Sequence, residues 1–198
     1  TVDAPLLHDT WEAVSEIIPQ LNRAVWSGID AAFAPEGCMS WLSPASDGFL
    51  TIDDYYFNRS PMALSRIENG PDPQCISVTD WAEAIVAGKT KTLTGLTPLE
   101  VADNLDRFAQ AADDALPHLR TQVGQNVELQ ETLWDIESMA HLGRYYADKQ
   151  RGAAKLALFR ASNGEDRAVH LESVAHLEAA VQHWKAYANV LEPRYIPT

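Results

Sequence analysis

The chain has 198 residues, 46% of them hydrophobic and 22% charged. That balance excludes wholesale disorder and allows one core-bearing domain that buries about 70% of its unfolded surface. The formal charge of −13 repels phosphate backbones, and no basic stripe offers counterion release, so nucleic acid and anionic lipid are poor partners. The longest uncharged run, residues 37–46, falls far short of the roughly 20 apolar residues of a spanning helix, and no membrane span is expected.

In chain order, Asp9 can cap a helix reaching Val25, with Val14, Ile17, Ile18 and Leu21 facing inward and Pro19 bending it. Residues 27–76 then hold Pro35, Pro44, Pro61, Pro71 and Pro73 and both cysteines, and read as a long irregular cap. A short helix from Thr79 to Ala87 stops at Gly88. Thr97-Pro98-Leu99-Glu100 is a capping box with proline at the first helical position. The helix it opens carries Val101, Leu105, Phe108, Ala112, Leu116 and Leu119 on one stripe, and Pro117 kinks or ends it. A second long helix runs from Asn126 to Ser162, roughly 55 Å if unbroken, with Leu129, Leu133, Ile136, Ala140, Gly143 and Ala147 inward and Asn163-Gly164 as its stop. A third, Asp166 to Leu191, presents Val174, Leu177, Val181, Trp184, Ala188 and Leu191, and Pro193 ends it. The expected fold is all-α: one domain over residues 1–198, an antiparallel bundle of about four long helices under an irregular cap.

Metal chemistry finds little purchase. Glu137 precedes His141, and Glu172 precedes His176, by four residues rather than the three of an inward-facing di-iron motif, and both pairs lie off the apolar stripes. His176 and His183 share a helix face and could meet an acid from a neighbouring helix, but ordinary surface roles outweigh that reading. No dedicated metal and no cofactor is expected. A phosphate-cradling glycine loop and the Gly-x-Ser-x-Gly of serine hydrolases are absent. Cys38 and Cys75 either bridge and restrain the cap, for roughly 3–4 kcal/mol, or remain two buried thiols.

The stronger signal is aromatic rings beside carboxylates. The cap carries Glu36, Trp41, Asp53, Asp54 and Tyr55. Sugars are bound by such sets, because ring C–H faces pack on Trp or Tyr while carboxylates accept from hydroxyls. Most of these rings are expected to fasten the cap to the bundle, since a proline-rich loop has no other core, whereas Glu36, Asp53 and Asp54 cannot be buried unpaired. Glu36 with Asp53 or Asp54 is the candidate acid–base pair. The middle helix adds a polar arc of Glu137, His141, Arg144, Tyr145, Asp148 and Arg151, interrupted by Gly143 and Gly152, which permit close packing. Folding the cap over this arc would bring Trp41, Glu36 and Tyr55 to Tyr145, Asp148 and Arg151, where the arginine could clamp a uronate carboxylate. A structural ion-pair network joining cap and bundle is the competing account of the arc.

Tyr145-Tyr146-Ala147-Asp148-Lys149, Arg151-Gly152-Ala153 and Thr97-Pro98-Leu99-Glu100-Val101-Ala102-Asp103 resemble a helical region of large bacterial carbohydrate-active proteins. Pro35-Glu36-Gly37-Cys38 and Trp184-Lys185-Ala186-Tyr187-Ala188 fit the same resemblance. There the region follows a catalytic barrel similar to that of α-glucuronidases. The resemblance implies a C-terminal accessory domain of a polysaccharide-degrading glycoside hydrolase, exported to the periplasm or beyond. Its partners would be carbohydrate and the rest of its own polypeptide or a catalytic domain. The start at Thr1 suits a processed protein or a fragment of a larger one. A strand–helix alternation that would build the barrel is missing, so a complete catalyst is not expected. Two alternatives stand beside this: a free-standing module binding an oligosaccharide or a protein, and a small enzyme using Glu36 with Asp53 or Asp54.

Overall fold

The computed structural model describes residues 2–25 and 74–195, which are helices and turns with no strand among them. Among the described residues six α-helices follow one another: α1 Ala4–Ser15, α2 Ile17–Val25, α3 Val78–Val86, α4 Pro98–Arg120, α5 Val127–Ala161 and α6 Arg167–Tyr195. A 3₁₀ turn at Thr90–Thr92 lies between α3 and α4. The all-α bundle expected from the sequence is the observed architecture. Of the expected cap only its last residues, from Gln74 on, are described. There Cys75 pairs with Leu96 in a single parallel bridge, the Ile76 amide donating to the Leu96 carbonyl at 2.8 Å.

The helix borders follow local chemistry. Asp3, not Asp9, caps α1, its side chain accepting from the Leu6 amide, while Asp9 sits exposed beside His8. The first helix breaks at Glu16 rather than bending at Pro19. Proline at 19 can neither donate to the Ser15 carbonyl nor tolerate it sterically, so α1 ends at Ser15, four residues upstream. Thr97 and Glu100 form the full capping box of α4, which ends one turn beyond Pro117. Asn126 caps α5 by accepting from Leu129, and Asn163 and Gly164 leave it with positive φ. Pro193 does not end α6. It lies in the last turn, and the carbonyl that loses its donor belongs to exposed Asn189.

The 35-residue α5 is the spine. α4 and α6 run antiparallel along it, α1 and α2 lie against α4 and α5, and α3 packs on α5. Every residue of the stripe expected for α5 is buried, and Leu133 and Ile136 are completely so, each contributing about 1.5–3 kcal/mol. Gly143 lets α2 approach: a Cβ built there would stand 2.8 Å from Ile17 Cδ1. Gly152 does the same for α6, whose Ser173 hydroxyl donates to the Gly152 carbonyl at 2.7 Å.

α6 itself is rotated from expectation. Val174 and Val181 are 38% and 49% exposed, while Ser173 and Ala180 are buried one position earlier. The contact line is Ser173, Leu177, Ala180, Trp184, Tyr187 and Leu191. Close backbone approach at Gly152 selects small residues, so the seam follows Ser173 and Ala180 rather than the larger valines beside them.

Candidate functional site

The polar arc of α5 splits between two neighbours. Glu137, Arg144 and Arg151 turn to α4: Glu137 accepts from Arg120 at 2.5 Å, and Arg144 pairs with Asp113. Arg151 donates through Nη2 to Asp103 at 2.7 Å and through Nη1 to Asp106 at 2.6 Å. Burial works against its charge, but the hydrogen bonds to Asp103 and Asp106 outweigh that and hold its pKa above the ordinary arginine value. Both arms of the proposed uronate clamp are therefore engaged on α4, and the geometry around Arg151 is that of an interhelical fastening.

Tyr145 and Asp148 turn instead to α6, and His141 lies between the two neighbours, within electrostatic reach of Asp113 on α4 and His183 on α6. Tyr145 is buried, with ring centroids 4.9 Å from Tyr146 and 5.0 Å from Trp184, and Trp184 continues to Tyr187 at 5.3 Å. Lys149 donates to the Tyr145 hydroxyl at 2.7 Å and lies 4.8 Å from that ring's centroid. Asp148 stands between two imidazoles. His176 Nδ1 is 2.8 Å from one carboxylate oxygen and His183 Nε2 is 3.6 Å from the other. This is the neighbouring-helix acid that the shared face of His176 and His183 could meet, but it separates the rings rather than converging them on one point. Burial pushes the His141 pKa down. Glu137 opposes this and Arg144 and His183 add to it, and His141 Nδ1 is buried with no hydrogen-bond partner. Among the described residues, the grouping with metal-ligand spacing is His8, Asp9 and Glu12, all exposed along α1.

Glu36, Cys38, Trp41, Asp53, Asp54 and Tyr55 lie outside the described residues, and so does their expected meeting with the arc and any Cys38–Cys75 bridge. Cys75 is buried. Of the expected binding residues, Tyr145 and Asp148 share the face toward α6, while Arg151 sits on the opposite flank.

A second polar cluster gathers residues that no motif in the sequence marks. At the start of α5 and the end of α6, Arg194 Nε donates to Glu131 at 2.9 Å and Nη2 reaches Asp135 at 3.1 Å. Its guanidinium also lies 5.1 Å from the Trp134 ring centroid. Burial disfavours the Arg194 charge, but the bonds to Glu131 and Asp135 more than compensate and raise its pKa. A cavity of about 480 Å³ opens here, lined by Glu131, Trp134, Glu137, Asn189 and Arg194 among others. One signal was present in the sequence: Trp134 falls beside the Leu133–Ile136 stripe rather than on it, a large indole with no core position to fill. No protein family, curated protein or solved structure matches the chain.

Proposed function

We propose that this chain is a non-catalytic helical module of a polysaccharide-degrading protein, giving contacts to carbohydrate and to a neighbouring catalytic unit. The observation that carries the reading is the fate of the charges on α5. Glu137, Arg144, Asp148, Arg151 and Lys155 each pair with a residue of a flanking helix, so the arc ties the bundle together. Neighbouring carboxylates are held likewise: Asp103 and Asp106 share Arg151, and Glu131 and Asp135 share Arg194. Glycoside hydrolysis needs two carboxylates free to reach the sugar on either side of the scissile bond, whereas these are engaged by shared arginines. A rigid frame with a cleft at one end suits binding, and the resemblance to the helical region of carbohydrate-active proteins supports the substrate class. The same reading assigns the protein to the periplasm or the exterior.

Affinity electrophoresis of the full chain in gels containing xylan, mannan or soluble cellulose, with reducing ends measured in parallel, tests this. The expected result is retarded migration without release of reducing ends. Release that disappears in Glu36→Gln would overturn the reading and make the chain an independent glycoside hydrolase.

A further inference from the structure

The geometry points to the groove at Trp134 as a binding site for the uncharged pyranose rings of an oligosaccharide. This rests on the carbohydrate reading above and adds the place and the class of ligand. Trp134 is half-buried yet stands outside the hydrophobic core. Arg194 lies over its ring, and the indole forms a wall common to two cavities. One, of about 480 Å³, lies toward α6, and the other, of about 250 Å³, lies toward the α4–α5 turn. The larger falls within the roughly 300–1,000 Å³ of ordinary ligand clefts. An aromatic wall between two clefts suits a chain of sugar rings passing across it, with C–H groups packed on the part of the indole that Arg194 does not cover.

The polar groups around the indole match hydroxyls. Glu131 and Glu137 supply carboxylate acceptors on the α6 side, where Asn189 adds an amide, and Gln130 adds another on the turn side. The carboxylates are held in place before any ligand arrives, Glu131 by Arg194 and Glu137 by Arg120. Such preorganisation lowers the entropic cost of binding.

Charge selects among sugars. Arg194 spends Nε and Nη2 on Glu131 and Asp135, and Arg120 is engaged by Glu137. The groove thus offers an acidic sugar one cation already paired, Arg194, beside the carboxylates of Glu131 and Glu137, on a chain whose net charge is −13. A uronate would be repelled, whereas a neutral ring donates its hydroxyls to the carboxylates without that penalty. The ligand class therefore differs from the acidic sugar that Arg151 suggested.

The test uses the full chain labelled at the tryptophan indoles, with xylohexaose, cellohexaose and mannohexaose as neutral probes and trigalacturonate as the charged one. The expected result is that a neutral hexasaccharide shifts the indole N–H resonance that Trp134→Phe removes. Trp134→Ala should weaken its binding about tenfold with the circular dichroism spectrum unchanged, and Asn189→Ala should weaken it several-fold. Neutral-sugar binding that survives both Trp134→Ala and Asn189→Ala would overturn the groove and leave the carbohydrate reading standing. Binding of trigalacturonate alone would overturn the ligand class. Binding of none of the four would overturn the groove and the carbohydrate reading together. Should Trp134→Ala unfold the chain, Asn189→Ala and the indole shift in the native protein still decide the matter.

Discussion

The approach of α2 to α5 at Gly143 gives the most searching test of the packing. Replacing Gly143 by alanine in mid-helix would alone stabilise the chain by about 1 kcal/mol through helix propensity. The new Cβ, however, would lie 2.8 Å from Ile17 Cδ1, 3.3 Å from Cγ1 and 3.5 Å from the Leu105 carbonyl oxygen. The first distance is shorter than any relaxed contact, and Ile17 is completely buried, so its terminal methyl has little room to yield. Overpacking of this kind costs about 1–3 kcal/mol, which leaves Gly143→Ala destabilised by about 0–2 kcal/mol. Ile17→Val deletes the offending methyl and by itself costs about 0.5–1.5 kcal/mol. In that background the contacts at 3.3 and 3.5 Å remain, and the alanine should be neutral or stabilising. The pair should therefore couple favourably by about 1–2 kcal/mol. Urea denaturation followed by far-UV circular dichroism, with equal slopes for all four proteins, measures the cycle. Additivity within about 0.5 kcal/mol, or stabilisation by Gly143→Ala alone, would refute the close approach of α2.

Arg151→Ala should lower stability by about 1 kcal/mol, or roughly 2–4 °C in melting temperature, because Asp103 and Asp106 lose their shared partner across α4 and α5. Sugar affinity measured on the same protein should not change, and a loss of affinity at constant stability would restore the clamp. Burial places the folded pKa of His141 below its ordinary value of about 6.5, so the unfolded chain binds the proton more readily. Its contribution to stability is complete above that pH and is lost as pH falls through the lower folded value. Urea midpoints between neutral and mildly acid pH should show this loss, and His141→Asn should flatten the dependence. Thr97→Ala should cost about 1 kcal/mol by removing the cap of α4, seen as a lower urea midpoint. Hydrogen bonds from the Thr97 backbone and then its side chain hold the Glu100 pKa below its ordinary value. The stability this gives is present above the unfolded carboxylate pKa and disappears as pH falls through the folded one, so Glu100→Gln should reduce the acid sensitivity of the melting temperature.

The borders of the long helices are legible in the residues that flank them. Thr97, Asn126 and Asp166 each accept hydrogen bonds from backbone amides that open α4, α5 and α6, and Asn163 with Gly164 supplies the left-handed exit between the last two. These are contacts within three residues along the chain, so residue type alone announces them. The stripes of α4 and α5 were legible for the same reason, since helical periodicity is a local property.

Which flank of each helix meets which neighbour depends on contacts between residues far apart in the chain. The seam of α6 runs through Ser173 and Ala180, because backbone approach at Gly152 rewards small side chains that carry little hydrophobic signal of their own. The arc on α5 looked continuous in sequence. It divides because α4 and α6 take opposite sides of it, drawing Arg151 to Asp103 and Asp148 to His176, partners 48 and 28 residues away. The Trp134 groove depends on Arg194 reaching Glu131 across 63 residues. A periodic pattern describes one helix at a time, and only the antiparallel register of α5 and α6 brings the end of one against the start of the other.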